Sequence, residues 1–488
     1  MAKTDNGTKH LLLLSFVFLI GILFRLFFFT GHIFSDDAYY AYLSQTLVSR
    51  DFLHDYLGYP VFPLRMVFIG LTAFSMMIFG VTEFATIFFP FLFSILNIFL
   101  TYKLAELFTA KKEIALMSSL LIAFFPTDVI FASIGFPDLI NIFFINLGIY
   151  LLFKSYVENK KLLSYLGGLS LFLSMQFKET IYYVLFLMIA MIIYFFIKNR
   201  RINFQLAVGL IFIFLNYLIE GFVYLLLHND FFYRITTTNL NYQYSFYDFF
   251  PYTAQKLSGS RNYLRNLFHQ IFLINLKSVF LRRFYLFLPL LTVVQTYFIL
   301  KEKKSNFLLF WFWGLAVLMV AFTTSFSEYK PIDLARSWYI YPLLMPMIIL
   351  SAIFINRFSK LIKTGLIAIY IIGSLIMCFE YQIFFDTENL NSLKTFLRHN
   401  QAKTIYTDHY TKYSVDLIRD YNSDSKKISG ENFNFSQIAN SDWILFNKKH
   451  IEELQLQKYK FPDFSILNSN QYRKVAAFND FVFYEKLH

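Results

Sequence analysis

Long apolar runs separated by short basic segments are the feature that most constrains how this chain can fold. Between Leu11 and about Phe385, runs of about 14 to 23 uncharged residues recur, and segments of that length can cross a bilayer as helices. Charged residues make up only 16% of the chain, whereas a soluble domain typically has roughly a quarter. The pattern therefore predicts an α-helical polytopic membrane protein and argues against a soluble enzyme or a disordered chain.

Eleven segments have the length and composition of a membrane span. By residue number they are 11–29, 84–107, 113–131, 137–153, 162–177, 180–197, 204–227, 284–300, 305–325, 337–356 and 364–385. One further apolar segment, Met66–Thr82, is ambiguous because it lies at the short end of the spanning range and contains Gly70 and Gly80.

The distribution of Lys and Arg decides where this segment lies, since positive side chains concentrate in short cytoplasmic loops. If Met66–Thr82 does not span and the amino terminus is cytoplasmic, five basic loops all lie in the cytoplasm. They hold Lys111 and Lys112; Lys154, Lys160 and Lys161; Lys198, Arg200 and Arg201; Lys301, Lys303 and Lys304; and Arg357, Lys360 and Lys363. If the segment spans, all five clusters lie outside. We therefore predict an interfacial or re-entrant helix within a first external loop, residues 30–83, of a multi-pass protein of the cell membrane.

These loops also account for nearly all of the formal net charge of +12. The basic balance is thus a consequence of topology, and it gives no reason to expect a nucleic-acid partner. The single cysteine, Cys378, excludes an internal disulfide and a cysteine-based zinc site.

The carboxyl-terminal part of the chain has a different composition. Residues 386–488 contain 14 basic and 13 acidic side chains and no run long enough to span a membrane. A helix is predicted at Tyr413–Tyr421, and three segments have the pattern of strands, namely Thr404–Thr407, Trp443–Phe446 and Phe481–Tyr484. We therefore predict a transmembrane domain, residues 1–385, with a second long external loop at 228–281, followed by a small soluble α/β domain, residues 386–488, outside the cytoplasm.

In this topology a set of polar residues collects on the external face. It comprises Asp36, Asp37 and Arg65 in the first loop, Asp128 and Asp138 around the next external turn, Lys178 between two spans, and Arg336 before a late one. Carboxylates at a membrane edge are costly unless they are hydrated, paired or bound to a cation. One carboxylate could act as a general base, and a pair could hold Mg²⁺ or Mn²⁺ against a phosphate. Arg and Lys side chains could bind that phosphate directly.

The same residues also have structural interpretations. Asp36 and Asp37 could simply cap the helix Ala38–Val48, because acidic side chains favour a helix start. Asp128 and Asp138 could be loop ends that face water, and basic side chains at a membrane edge often extend toward lipid headgroups. Spacing alone leaves both interpretations open.

Three segments resemble the GT-C superfamily of membrane glycosyltransferases, specifically the group that contains protein O-mannosyltransferases and the aminoarabinose transferases acting on lipid A. Phe34–Tyr42 is similar to the family's acidic pair at the start of the first external loop, followed by an aromatic helix. Ala123–Asp138 resembles the segment in which a second essential aspartate begins the next span. Arg336–Pro346 resembles the Arg–Tyr–Pro pattern that opens a late helix. The resemblance covers about residues 11–346.

The resemblance implies a donor sugar linked to polyprenyl phosphate, which enters from the lipid, and an inverting displacement that needs one base. It implies Asp36 as that base and Asp138 as a second carboxylate near the acceptor or a metal. Asp37 and Asp128 would support the site, and Arg336, Lys178 and Arg65 would bind the lipid phosphate. Asp36 and Asp138 could also hold a divalent cation, Mg²⁺ or Mn²⁺. The acceptor would be a protein, a lipid or a cell-surface glycan.

Two positions depart from the family pattern. The acidic pair is Asp-Asp where Asp-Glu is common, and the Lys-Pro-Pro segment of some members is replaced by residues 62–65, Phe-Pro-Leu-Arg. The role of that Lys is therefore not carried over, and Arg65 is only a candidate to replace it.

Other functions remain open at this stage. A transporter or flippase for a lipid-linked sugar would place its charges at mid-membrane and show paired, broken helices. A polymerase or ligase would use the same scaffold to move a whole glycan. A purely structural anchor would not need 11 spans to hold a domain of about 100 residues.

Overall fold

The structure is a computed structural model that describes residues 2–49, 61–200, 203–240, 285–302, 307–321, 339, 341–421, 425–428, 433–456 and 462–487. Arg336, Asp51, His54 and Asp55, and most of the loop predicted at 228–281, lie outside the described residues.

Helices dominate the described residues. In chain order they are α1 (Ala2–Phe27), α2 (Asp36–Val48), α3 (Met66–Phe79), α4 (Glu83–Thr109), α5 (Lys112–Ala123), α6 (Pro126–Phe131), α7 (Asp138–Glu158), α8 (Lys161–Met175), α9 (Ile181–Asn199), α10 (Phe204–His228), α11 (Leu288–Lys301), α12 (Phe307–Ala321), α13 (Tyr341–Ile355), α14 (Lys360–Phe384), α15 (Thr387–His399), α16 (His409–Ile418) and α17 (Lys448–Leu456). Residues 233–240 are also helical.

Five of these helices are long and apolar enough to cross a membrane, at Thr8–Phe27, Glu83–Thr109, Asp138–Glu158, Phe204–His228 and Lys360–Phe384. Shorter apolar helices include α3, α8, α11 and α13. Large apolar side chains such as Leu12, Leu226 and Ile383 point outward, as expected for a surface that faces lipid. The predicted α-helical membrane fold is confirmed.

The predicted span 113–131 is interrupted in the structure. It forms α5 and then the short α6, because Pro126 supplies no backbone N–H to continue the first helix and holds the preceding Phe125 in an extended conformation (φ −66°, ψ 119°). The break places Asp128 on a separate, buried helix and not at a loop end facing water.

The ambiguous segment forms α3, a helix of 14 residues. At 1.5 Å per residue it is about 21 Å long, well short of the roughly 30 Å of a hydrocarbon core. It ends at Gly80, whose φ of +76° is a conformation that glycine adopts without strain. The length of α3 agrees with the prediction that it does not span the membrane.

The carboxyl-terminal part contains a five-stranded sheet in the order β2-β1-β3-β5-β4. The strands are β1 (Ile405–Thr407), β2 (Ser425–Lys427), β3 (Trp443–Asn447), β4 (Tyr472–Phe478) and β5 (Phe481–Lys486). β1 pairs in parallel with β2 and β3, and β5 pairs antiparallel to β3 and β4. The three predicted strands are present, and α16 overlaps the predicted helix. β2 and β4 were missed because one is only three residues long and the other carries little apolar alternation. The domain boundary at residue 385 remains a proposal.

The carboxyl-terminal sheet unit is attached to the loop that precedes α2. The Phe34 ring lies in the core of that unit, 5.2 Å from the Phe481 ring, although its φ of 57° is unusual for a residue with a side chain. The Glu83 carboxylate accepts hydrogen bonds from Lys394 Nζ at 2.6 Å and from the backbone N–H of His32 at 2.7 Å. Burial of the ring and this ion pair together hold the start of α2 against the sheet unit.

Close packing of α7 on α8 gives a testable prediction about the fold. A Cβ atom added at Gly148 would lie 2.5 Å from Leu171 Cγ and 3.0 Å from the backbone oxygen of Gly167. We expect Gly148→Ala to destabilise the protein by about 1–3 kcal/mol, because the helices must separate. Thermal unfolding in detergent measures the effect.

The matched control is Gly365→Ala in α14, where an added Cβ meets no atom within 4 Å among the described residues. It should leave the unfolding temperature unchanged or slightly raised. Equal behaviour of the two variants would contradict the close packing of α7 on α8.

Candidate functional site

The first turn of α2 is held by the carboxylate of Asp37. Its two oxygens accept hydrogen bonds from the backbone N–H groups of Ile33 (2.7 Å), Ser35 (2.8 Å) and Ala38 (3.0 Å). The imidazole Nδ1 of His32 lies 2.8 Å from Oδ2. Burial acts to raise the pKa of Asp37, but the adjacent His32 and the backbone donors outweigh it and hold that pKa below its usual value. Asp37 is thus committed to fixing the loop before α2.

Asp36 has a different environment from its neighbour. Its side chain is exposed, whereas that of Asp37 is buried. One turn further along α2, the Tyr40 hydroxyl accepts a hydrogen bond from the guanidinium of Arg65. Burial raises the pKa of Tyr40, and the negative charge of Asp36 adds to the increase. Asp36 is therefore the carboxylate of the acidic pair that is accessible for chemistry.

Asp138 is the first residue of α7 and is mostly buried. Its Oδ1 accepts a hydrogen bond from the ammonium group of Lys178, whose side chain is 11% exposed. The same ammonium lies 5.0 Å from the centre of the Tyr339 ring, so Lys178 contacts two of the three resembling segments. Arg336, three residues before Tyr339, lies outside the described residues.

The turn between α8 and α9 presents three consecutive side chains to different partners. Lys178 contacts Asp138, Glu179 Oε2 lies 3.1 Å from an Arg65 nitrogen, and Thr180 Oγ1 accepts a hydrogen bond from Asn141 at 2.7 Å. This turn therefore connects the start of α3, through Arg65, with the first turn of α7.

The acidic pair and the second aspartate segment also lie side by side. A Cβ atom added at Gly135 would be 3.6 Å from the Cβ of Asp37, which places the loop before α7 against the start of α2. Together with the Arg65–Tyr40 and Arg65–Glu179 contacts, this proximity brings Asp36, Arg65, Lys178 and Asp138 to one end of the helical bundle.

Asp128 lies elsewhere. It is 1% exposed and forms an ion pair with Arg25, which is fully buried and also donates from Nε to Ser94 Oγ at 2.6 Å. Ser94 also donates a hydrogen bond to Asp128. The carboxylate thus has cationic and hydroxyl partners in the interior, and its supporting role in the site stays a prediction.

Two buried arginines, Arg25 and Arg234, are not among the site residues predicted from the sequence. The sequence does carry a signal for them, because Arg25 and Glu220, the partner of Arg234, each interrupt an apolar run. Charges inside such runs are expected to have partners. Arg234 is 1% exposed and pairs with Glu220 at 2.6 Å, and it also donates to the backbone oxygen of Leu64 at 3.1 Å and to Gln176 at 2.8 Å. It therefore fixes the chain just before Arg65.

The predicted divalent cation finds limited support in this geometry. Among the described residues no group of three or more His, Cys, Asp or Glu side chains comes together. Asp138 already has the ammonium of Lys178 as a cationic partner, which disfavours a second positive charge there. These contacts do not fit a metal site at Asp138, and no step below depends on a metal.

The Asp37 contacts predict a specific pH dependence of stability. Because the pKa of Asp37 is lowered in the folded protein, the ionised carboxylate stabilises the fold above its unfolded pKa, near 3.8, and this contribution is lost as the pH falls through the folded value. We expect Asp37→Asn to lower stability at pH 7 by about 1–3 kcal/mol. Its deficit relative to the parent protein should shrink below pH 3.8, as measured by thermal unfolding. A deficit that is constant across that range would contradict the ionic role.

Comparisons with known proteins agree with this architecture. Residues 66–220 match the sequence profile of the family described as dolichyl-phosphate-mannose-protein mannosyltransferase. A search of curated protein sequences gives no match.

Solved structures give further matches. ArnT from Cupriavidus metallidurans in the apo state has 11% sequence identity and a TM-score of 0.57, over 99% of this chain and 98% of that one. The same protein bound to undecaprenyl phosphate gives 10% identity and a TM-score of 0.56, with the same coverage. The archaeal oligosaccharyltransferase AglB from Archaeoglobus fulgidus, in complex with an inhibitory peptide and a dolichol-phosphate, gives 12% identity and a TM-score of 0.53, over 98% of this chain and 74% of that one.

The family and the matched proteins are glycosyltransferases, in agreement with the predicted class of enzyme. The resemblance stated from the sequence is confirmed: the chain has the fold of a GT-C glycosyltransferase and matches the mannosyltransferase family over residues 66–220.

Proposed function

We propose that this protein transfers a sugar from a polyprenyl-phosphate-linked donor to a protein, lipid or glycan acceptor on the external face of the membrane. The observation that carries the proposal is that the exposed Asp36 lies one turn from Tyr40, which binds Arg65, and that Arg65 contacts Glu179, the chain neighbour of Lys178. The structural relatives solved with undecaprenyl phosphate and with a dolichol-phosphate support a lipid phosphate as the carrier.

The phosphate of the donor would bind at Lys178 and Arg65. An ammonium group has three donors, so Lys178 can keep its contact with Asp138 and still bind a phosphate oxygen. The side chain of Arg65 is 11% exposed, and the planar geometry of a guanidinium suits a phosphate. Arg336, from the third resembling segment, is proposed as an additional phosphate ligand. Positive charge at this point stabilises the phosphate as the bond to the sugar breaks.

Asp36 would act as the general base that removes a proton from the acceptor's nucleophile. The acceptor atom then attacks the anomeric carbon, and the lipid phosphate leaves with the bonding electron pair, which inverts the anomeric centre. A single displacement needs no nucleophilic carboxylate on the opposite face of the ring. Asp37 supports this step by holding the loop on which Asp36 lies. Asp138 would keep Lys178 in place near the phosphate.

Replacement of Asp36 tests the chemistry. We expect Asp36→Asn to abolish transfer, because an amide cannot accept the proton, while binding of the lipid carrier remains. The assay follows transfer from undecaprenyl-phosphate-linked single sugars and from a lipid-linked oligosaccharide, in parallel, onto membrane extracts. Full activity of Asp36→Asn would remove Asp36 as the base.

The matched control is Glu388→Gln, which neutralises an exposed carboxylate on α15 and should retain parental activity. Adding EDTA to the parent protein tests the predicted Mg²⁺ or Mn²⁺ separately. Persistent activity would show that Lys178 and Arg65 neutralise the phosphate without a cation.

The orientation is also a proposal, with the amino terminus in the cytoplasm and residues 386–488 outside. Single cysteines are placed in a Cys378→Ser background by Lys112→Cys and Glu388→Cys, both at exposed positions. We expect a membrane-impermeant maleimide to label position 388 in intact cells and position 112 only after permeabilisation. The opposite pattern would overturn the orientation without affecting the proposed chemistry.

A further inference from the structure

We propose that Glu179, together with Asn141 and Tyr341, forms the subsite that binds the hydroxyl groups of the donor's sugar. The inference rests on the proposed function, since it requires a lipid-linked sugar at Lys178 and Arg65. It adds a specificity-determining role for three residues that the resemblance to GT-C enzymes left unassigned.

Glu179 is a buried carboxylate with unused hydrogen-bonding capacity. The residue is 7% exposed, and its Oε2 contacts Arg65 at 3.1 Å. Its Oε1 has no hydrogen-bond partner among the described residues. A buried carboxylate oxygen without a donor costs free energy, so such an atom calls for a ligand or an ordered water.

Glu179 is also suited to accept and not to donate. Burial acts to raise its pKa, but the charge of Arg65, a hydrogen bond from its own backbone N–H, and the charges of Arg234 and Lys178 outweigh it and hold the pKa below the usual value. An ionised carboxylate only accepts hydrogen bonds, so its partner has to be a donor such as a hydroxyl group.

Two further polar atoms near Asp138 are also buried without a hydrogen-bond partner among the described residues. Asn141 lies one turn after Asp138 on α7 and is 4% exposed. Its Nδ2 donates a hydrogen bond to Thr180, but its Oδ1 has no hydrogen-bond partner in the described part of the chain. The hydroxyl of Tyr341 is buried, lies within electrostatic range of both Asp128 and Asp138, and likewise lacks a described partner. Asn141 and Tyr341 thus add two buried polar groups to the surroundings of Asp138.

The arrangement favours a sugar over a second phosphate at this position. A phosphate would be repelled by the Glu179 carboxylate, whereas sugar hydroxyls donate to it. Arg65, one of the two proposed phosphate ligands, lies 3.1 Å from Glu179 Oε2, so a phosphate at Arg65 would place the sugar attached to it close to Glu179. Hydroxyls would satisfy Oε1 of Glu179 and Oδ1 of Asn141 at once.

The test compares the affinity of the protein for undecaprenyl phosphate that carries a sugar, the loaded carrier, with its affinity for undecaprenyl phosphate alone, the bare carrier. Protein in nanodiscs is titrated with undecaprenyl phosphate, with undecaprenyl-phosphate mannose and with undecaprenyl-phosphate 4-amino-4-deoxyarabinose. We expect the parent protein to bind at least one loaded carrier more tightly than the bare one. Glu179→Gln should reduce that ratio of affinities by about ten- to a hundredfold, as loss of a hydrogen bond to a charged acceptor implies.

Glu220→Gln is the matched control, because Glu220 is another largely buried glutamate paired with an arginine, Arg234. It should lower thermal stability and leave the affinity ratio unchanged. Asn141→Ala is the second variant, to be used if Glu179→Gln does not fold, and it should also reduce the ratio.

The outcomes separate the two proposals. Parent protein that binds none of the three lipids would overturn the proposed function. Parent protein that binds the bare carrier and shows no preference for either loaded one would overturn the sugar subsite alone. So would a preference that survives in Glu179→Gln or, where that variant does not fold, in Asn141→Ala.

Discussion

The rest of this structure depends on one constraint: a charge removed from water inside a membrane protein must be paired. Arg25 pairs with Asp128, Arg234 with Glu220, Arg65 with Glu179, and Lys178 with Asp138. Three of these pairs join residues 40 or more positions apart, and Arg234 and Glu220 are 14 positions apart, so the pairs connect different segments as well as neutralising charge. Breaking such a pair by removing one partner typically costs about 3–5 kcal/mol, because the remaining charge stays buried.

The two carboxylates of the acidic pair differ in their environment. Asp36 is exposed although its neighbour Asp37 is fully enclosed by backbone donors and His32. The protein thus uses one carboxylate of an adjacent pair to fix a loop and leaves the other accessible to solvent and substrate. A general base needs this combination, a rigid backbone with an accessible side chain. The two oxygens of Glu179 also differ: Oε2 contacts Arg65, whereas the buried Oε1 has no partner among the described residues.

The carboxyl-terminal sheet unit contributes to that rigidity. Phe34 inserts into its core, and the Tyr42 and Tyr413 rings lie 4.2 Å apart between α2 and α16. Lys394 and Arg398 of α15 both bind Glu83 at the start of α4. Residues on both sides of Asp36 are therefore packed against the sheet unit. The sheet unit therefore helps to position the helix that carries the accessible carboxylate.

The sequence by itself determined the class of fold, the positions of nearly all helices and three of the five strands, because hydrophobic length and periodicity are local properties. The distribution of basic loops also led to the prediction that α3 does not span, and sequence patterns marked the acidic, Arg–Tyr–Pro and proline–aspartate segments as candidate sites. Only the tertiary structure decided that Asp37 is structural while Asp36 is accessible, that Asp128 belongs with Arg25, and that Lys178 lies between Asp138 and Tyr339. The reason is physical: pairing, burial and the role of a carboxylate depend on groups brought within a few ångströms by packing, and a one-dimensional pattern carries no information on those distances.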